Sequence, residues 1–233
     1  MNTIITGASK GIGRALAEKF ASEGHNLAIC ARNEENLKSL KKELETKYSG
    51  IQVLIKSTDI SKRKDVLAFA EAALKMFGSI DVLINNGGIF LSGSTCEENE
   101  GTLEKLIETN LYSAYHLTRA IVPFMTSSAK PHIFNMCSIA SQTAYPNGGS
   151  YSISKFALLG FTKVLRQELL DKGIRVTAVL PGATWSDSWA GVDLPQERLM
   201  DAADIADTIW AAYSLKKSAV VEEVIIRPQL GDL

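Results

Sequence analysis

No apolar run in the 233-residue chain approaches the roughly 18 residues of a membrane-spanning helix, so a helical membrane protein is excluded and no membrane partner is expected. Cysteine is scarce. Cys30, Cys96 and Cys137 are scattered, odd in number and without metal-like spacing. They exclude a disulfide framework, point to no metal, and suit reduced thiols of the cytoplasm. Charge of either sign is not in excess, since 25 Lys and Arg face 26 Asp and Glu for a net charge of -1. A nucleic-acid surface is therefore not expected. The opening Met1-Asn2-Thr3-Ile4-Ile5 has neither a basic stretch nor a cleavage site, so a signal peptide is not expected. Low-complexity tracts and solenoid-length repeats are also lacking.

The chain does have a 45% hydrophobic composition, enough for one large core, and residues 1–233 are read as a single domain. Short runs rich in Ile, Val and Leu at 3–6, 26–31, 51–55, 81–84, 133–138, 174–180 and 220–227 read as strands. Amphipathic stretches read as helices over 14–20, 34–48, 62–77 (with Ser61 as N-cap), 101–125, the run after Ser150, and 202–213. Strands alternating with helices predict an α/β fold of the doubly wound, Rossmann type, with about seven parallel strands and helices on both faces. Ligands bind such sheets beyond the carboxyl ends of the strands.

The unassigned chemistry falls at those ends. Gly7-Ala8-Ser9-Lys10-Gly11-Ile12-Gly13 joins the first strand to the first helix. Glycines let the backbone approach a phosphate, and the free N–H groups of the helix start point at it. Arg32 follows the second strand, where an acid would select NAD(H) and an arginine accommodates the 2′-phosphate of NADP(H). With Lys10 as a second cation, NADP(H) is preferred and NAD(H) is the second choice. Glu34 and Glu35 come next, where a helix start favours acids. Asp59, beside Ile60, either meets the adenine edge or caps its own turn. Asn85-Asn86-Gly87-Gly88 ends the fourth strand as a bend suited to a ligand. Asn110 lies inside a helix, which is unfavourable unless its amide has partners. Tyr151 and Lys155 are one helical turn apart on one face. A phenol beside an ammonium is expected to have a lowered pKa and to exchange a proton near neutrality; alone, the pair more often describes a half-buried ring and a surface charge, because the spacing is common by chance.

Taken together, these elements resemble the classical short-chain dehydrogenase/reductase family over nearly the whole chain. Thr6 to Gly13 resembles its cofactor loop. Asn85-Asn86-Gly87-Gly88 resembles its Asn-Asn-Ala-Gly element with Gly87 in place of Ala, a change expected to be tolerated because it only removes a methyl group, and at most to loosen the loop. Asn110, Ser138, Tyr151 and Lys155 match its catalytic tetrad in order and spacing. Pro181-Gly182 matches its turn after the sixth strand, and Thr184 the threonine that holds the nicotinamide carboxamide. The resemblance implies a reductase in which Tyr151 gives a proton to the substrate oxygen and Ser138 orients that oxygen. It also implies that Lys155 lowers the Tyr151 pKa and binds the nicotinamide ribose, while Asn110 holds a water. The cofactor contacts it implies are Gly7, Ser9, Lys10, Gly11, Ile12, Gly13, Arg32, Asp59, Ile60, Asn86, Gly87, Gly88, Tyr151, Lys155, Pro181, Gly182 and Thr184.

The implied substrate is a small carbonyl or alcohol, and the implied assembly is a homodimer or homotetramer. A 3-oxoacyl-carrier-protein reductase shares the tetrad and would want a basic patch, for which Arg119, Lys130 and Arg166 are candidates. A non-catalytic NADP(H)-binding sensor is the reading from another class, and the intact tetrad argues against it. Residues 183–200 are expected to form the substrate loop, with Trp185 and Trp189 either a flap or packing. Cys137 and His116 are read as structural, Ser152 and Ser154 as serving their helix, and Tyr145 and Phe90 as pocket walls.

Overall fold

The computed structural model describes residues 1–125, 128–185, 195 and 198–231. Seven parallel strands are present among them: β1 (Asn2–Thr6), β2 (Asn26–Ala31), β3 (Val53–Ser57), β4 (Val82–Asn85), β5 (His132–Met136), β6 (Arg175–Pro181) and β7 (Glu223–Ile226). Their order across the sheet is β3-β2-β1-β4-β5-β6-β7. Ile5 lies between Ile29 of β2 and Ile84 of β4. The chain winds outward from β1 to β3 and then restarts at β4 on the other side of β1. That reversal opens a crevice at the carboxyl ends of β1 and β4, where a dinucleotide binds in such sheets.

The strand pleat sorts the core into two layers. Ile5, Leu27 and Ile29 pack with α1 (Gly11–Ser22), α2 (Glu34–Lys47) and α7 (Ala202–Ser214) through Leu16, Phe20, Leu37, Leu40 and Ile209. Ile4, Ala28 and Cys30 point the other way. They meet α3 (Arg63–Phe77), α5 (Ser113–Ile121) and α6 (Gly149–Glu168) through Val66, Phe69, Leu117, Ile121 and Leu165. Both faces are covered, which is why the strands read as continuous apolar runs rather than alternating ones.

Two expectations change at helix starts and interiors. The third helix begins at Arg63 with Lys62 at its N-cap and no side-chain cap. Ser61 instead donates its N–H (3.1 Å) and hydroxyl (2.8 Å) to Asp59 Oδ1, so the Asp59 carboxylate caps the turn and competes for the serine. The stretch expected as one long helix is broken into α4 (Thr102–Ile107), a π-helical turn over Glu108–Tyr112, α5 and a 3-10 turn over Val122–Phe124. The π turn centres on Asn110, and such turns recur at functional sites.

The amino ends of the strands carry a buried basic cluster. Arg175 donates to the carbonyls of Tyr213 (3.1 Å), Leu215 (3.4 Å) and Ala212 (3.5 Å), closing the end of α7. Beside it, His132 Nε2 lies 2.7 Å from Thr177 Oγ1, whose own hydroxyl donates to Val221 O. The imidazole must therefore carry its proton on Nε2, and its buried Nδ1 has no partner among the described residues. Burial first, then Arg175 and Lys130, hold the His132 pKa well below 6.5. His25, paired with Thr3 Oγ1 at 2.7 Å, is pushed down to about 4, mainly by burial and then by the terminal amine, against a weaker opposing pull from Asp81.

Both imidazoles have folded pKa values below their unfolded values. Their neutral forms thus support the fold fully above about pH 6.5, and that support is lost as pH falls toward 4. Each contributes a slope of up to about 1.4 kcal/mol per pH unit in that window. Thermal melts from pH 7 to pH 4.5 should show a falling Tm, and His132→Gln should flatten the fall. An unchanged slope in that variant would remove His132 from the acid sensitivity.

Candidate active site

The site is built where β1, β4, β5 and β6 end. The glycine loop leaves β1 and enters α1, whose first turn has no acidic residue and whose N-cap, Lys10, supplies no side-chain cap. Its N–H groups are thus left for an anion. Gly7 (φ +67°) and Gly13 are packed against each other and against the β4 bend. A Cβ at Gly13 would lie 2.1 Å from Gly7 O, and one at Gly7 would lie 2.8 Å from Gly87 Cα. Thr6 latches the same bend, its Oγ1 accepting from Gly87 N (2.9 Å) and Asn86 N (3.1 Å). Asn86 returns two bonds, from Nδ2 to Thr6 O (2.9 Å) and Gly7 O (3.2 Å).

Thr6 was read only as the first residue of the cofactor loop, because a threonine at a strand end before a glycine has no distinctive spacing that would name a latch. Nor is the bend loosened at Gly87. The Ile60 methyl fills the space of the missing Ala methyl, since a Cβ at Gly87 would meet Ile60 Cδ1 at 2.6 Å.

A cavity of about 720 Å³ opens from this loop toward β6, a volume suited to a small ligand. Ile12, Asn86 and Gly88 line one end, and Pro181, Gly182 and Thr184 line another wall. Ser138, Tyr151 and Lys155 also line it, as do Phe90 and Tyr145. Gly7, Ser9, Lys10, Gly11, Gly13, Arg32, Asp59, Ile60 and Gly87 do not line this cavity. They lie along the strand ends beyond it: Arg32 is exposed just past β2, and its carbonyl accepts from Ser57 Oγ at 3.0 Å. The Asp59 carboxylate is held below its usual range, first by the Ser61 hydroxyl. Thr184 is buried, its hydroxyl donating to Gly182 O at 3.0 Å. Trp185 is exposed and does not line the cavity. Trp189 lies outside the described residues, as does most of the expected substrate loop.

Tyr151 and Lys155 share one face of α6, with the ammonium 5.8 Å from the ring centroid. Lys155 is buried, and its Nζ donates to Met136 O at the end of β5 (2.8 Å). Burial lowers its pKa to about 8. The expected lowering of the Tyr151 pKa is not what the folded chain produces. Burial raises it above 10, and the nearby Ser138 hydroxyl opposes this only in part. Desolvation of a phenolate outweighs an ammonium that is spent on a backbone carbonyl. Ser138 is held in turn by a capping box, accepting from Ala140 N and donating its own N–H to Ser141 Oγ, both at 3.1 Å.

Asn110 does not line the cavity. Its amide accepts from Ile89 N (2.8 Å) and donates to Ile89 O (3.0 Å) and Ser154 Oγ (3.0 Å). Both Nδ2 hydrogens are therefore occupied by protein, and the side chain braces Ile89 against Ser154 of α6. Ser154 also donates to Tyr151 O at 2.7 Å, so it serves its helix and Asn110 together. Gly88 permits this packing, since a Cβ there would sit 3.0 Å from Asn110 Oδ1 and 3.7 Å from Lys155 Nζ.

Cys137 lines the cavity but is buried against Leu158 and Leu180, its thiol pushed up to about 11 by desolvation. His116 sits between the rings of Tyr112 and Tyr115, away from the cavity. The three candidate basic-patch residues each hold a partner of their own. Arg119 bonds Tyr115, Lys130 bonds Ser214 O, and Arg166 pairs with Glu222; none lines the cavity.

The chain is similar to known proteins. Diacetyl reductase [(S)-acetoin forming] of Staphylococcus epidermidis is 34% identical over 212 residues, covering 91% of this chain and 82% of its own. The alcohol dehydrogenase of Thermococcus sibiricus, solved with 5-hydroxy-NADP, superposes with a TM-score of 0.91 at 28% identity, covering 100% and 98% of the two chains. The L-sorbose reductase of Gluconobacter frateurii, solved with NADPH and L-sorbose, gives 0.89 at 26% identity, covering 97% and 95%. The family model described as short chain dehydrogenase matches residues 1–196. With the doubly wound sheet and the glycine loop in place, the chain belongs to the short-chain dehydrogenase family.

Proposed function

We propose that this chain is an NADP(H)-dependent oxidoreductase that interconverts a carbonyl and an alcohol, with Tyr151 as the proton donor and acceptor. The observation that carries the reading is the convergence of three groups in one cavity: the Ser138 hydroxyl, the Tyr151 phenol and the Lys155 ammonium. The glycine loop, Arg32, Asn86, Gly88 and the wall from Pro181 to Thr184 fit a dinucleotide, and the loop's close glycine packing is the fit a phosphate backbone needs. The NADP and NADPH complexes of the solved relatives support the phosphorylated form. When bound, the nicotinamide supplies or accepts hydride.

The protein's own part is positioning and proton delivery. Ser138 orients the substrate oxygen, and Tyr151 gives it a proton. Lys155 places a positive charge beneath that proton transfer and reaches the ribose. Asn110 braces the backbone beneath Lys155. A phenol kept neutral by burial suits reduction at neutral pH, because the donor is already protonated. Phe90 and Tyr145 make an apolar entrance suited to a small organic carbonyl. None of Arg119, Lys130 and Arg166 lines the cavity, which withdraws support from an acyl-carrier-protein partner.

The reading extends to assembly and place. Residues 1–233 act as one unit. Ile153, Phe156 and Val164 form an exposed apolar stripe on α6, which supports pairing of copies into a homodimer or homotetramer. The three scattered free cysteines support a cytoplasmic location.

Cofactor titration by fluorescence, followed by turnover on a panel of aldehydes, ketones and diketones, tests the reading. NADPH should bind ahead of NADH and support turnover; failure of both nucleotides to bind would sink it. Arg32→Asp should shift the NADPH-to-NADH ratio of kcat/KM toward NADH by roughly 10- to 100-fold, the worth of a charge-assisted hydrogen bond. An unchanged ratio would remove Arg32 from the phosphate site.

A further inference from the structure

Helix α6 starts without a cap of its own. Its N-cap is Gly148, no side chain caps it locally, and its first turn has no acid. The missing group arrives from a residue 52 positions earlier. Glu98 Oε1 accepts from Ser150 N at 3.0 Å, and Oε2 accepts from the Ser150 hydroxyl. Ser150 is buried and immediately precedes Tyr151.

The contact is built for that carboxylate. A Cβ at Gly149 (φ +27°) would lie 2.2 Å from Glu98 Oε1, and one at Gly93 would lie 2.7 Å from Glu98 Cγ. Two further bonds hold the same loops together, from Gly93 N (3.0 Å) and Ser92 Oγ (3.2 Å), both to Asn147 O. Asn147 itself has a left-handed φ of +61°.

Residues 89–98 are thereby fastened to α6 at two points. Ile89 is held through Asn110 to Ser154, and Glu98 is held to Ser150. Tyr151 lies between the two anchors. Phe90, next to the first anchor, packs its ring edge-on against Tyr151 with centroids 4.8 Å apart.

We propose that Glu98 is a positioning residue of the active site. Its carboxylate fixes the start of the catalytic helix and so sets both the place and the proton affinity of the Tyr151 phenol. This rests on the proposed role of Tyr151. Two effects follow. The bidentate grip orients the first turn of α6, and with it the phenol against Ser138. The negative charge also offsets the positive end of the helix, which would otherwise favour phenolate. Removing the charge should therefore lower the Tyr151 pKa.

The test uses Glu98→Gln, which keeps an acceptor and loses the charge, and Glu98→Ala, which loses both. The Tyr151 pKa is read directly from tyrosinate absorbance, as the difference between each protein and its Tyr151→Phe counterpart, so the readout needs no turnover. Glu98→Gln should lower that pKa by about half a unit, the scale of one surface charge at a helix end. NADPH affinity should stay within about twofold, because the glycine loop is untouched. Glu98→Ala should add a roughly tenfold loss of kcat, with Glu98→Gln intermediate.

An unshifted Tyr151 pKa in Glu98→Gln, or wild-type kcat in Glu98→Ala, would overturn the proposal. If Glu98→Ala does not fold, the Glu98→Gln titration alone decides it. A wild-type protein that binds NADPH but turns over no carbonyl would count against the reductase reading. The pKa comparison would still decide the role of Glu98.

Discussion

Tyr151→Phe is expected to lower kcat by roughly 10²- to 10⁴-fold, the usual worth of a positioned general acid, while NADPH binds as before. The substitution removes one oxygen from a ring that is otherwise held by packing against Phe90. Neither the glycine loop nor the Lys155 bond to Met136 O depends on that oxygen. The loss should therefore appear in kcat and not in nucleotide affinity, and single-turnover hydride transfer at saturating NADPH is the measurement. Retained transfer would make Ser138 or water the donor. The pH dependence gives a second check. Because burial raises the phenol above 10, the reductive rate should stay flat through neutrality and fall only on the alkaline side. Oxidation, which needs the phenolate, should rise with pH over the same range.

The second large effect concerns the loop. Gly13→Ala should weaken NADPH binding by at least about 100-fold and lower Tm by several degrees. The added methyl would sit 2.1 Å from Gly7 O and 2.6 Å from Asn86 Nδ2. The first obstacle is backbone and cannot swing aside. Gly7 is fixed in place by its positive φ and by the β4 bend pressed against it. Relief must come from moving α1 away from the strand end, which opens the phosphate cradle and breaks the Asn86 latch together. Overpacking of this kind costs about 1–3 kcal/mol or more. Nucleotide fluorescence and a thermal melt measure the two losses. Wild-type affinity in this variant would show that the loop has slack the structure does not display.

How much of this was legible in sequence follows from what each signal reports. The strand runs reported burial on both faces, and β2 was bounded at Asn26 and Ala31 from its apolar run alone. The i, i+4 spacing reported that Tyr151 and Lys155 share a face, and they do. It did not report solvation, so the direction of the Tyr151 pKa was misread: burial decides it, and burial is a property of the whole packed cleft. Asn110 was flagged as needing partners, yet Ile89 and Ser154 are 21 and 44 residues away, and no local pattern names them. Asp59 was left open between adenine and its own turn, and its Oδ1 accepts two hydrogen bonds from Ser61 within that turn. Glu98 escaped notice entirely. A cap supplied across 52 residues has no spacing to recognise, and only the paired glycines at 93 and 149 hint that something bulky must pass between them.

The latch between Thr6 and the β4 bend also has a consequence for synthesis. Thr6 waits for partners about 80 residues later in the chain, and β1 has an unpaired edge until Val82–Asn85 has been made. A nascent chain that has emerged only through α3 carries an open, strongly apolar strand and half a nucleotide cradle. Long-range parallel pairing of this kind closes slowly, and such exposed edges invite aggregation. Nucleotide binding would then mark the moment when the two halves of the sheet have joined, and cofactor present during refolding would act as a trap for the joined state.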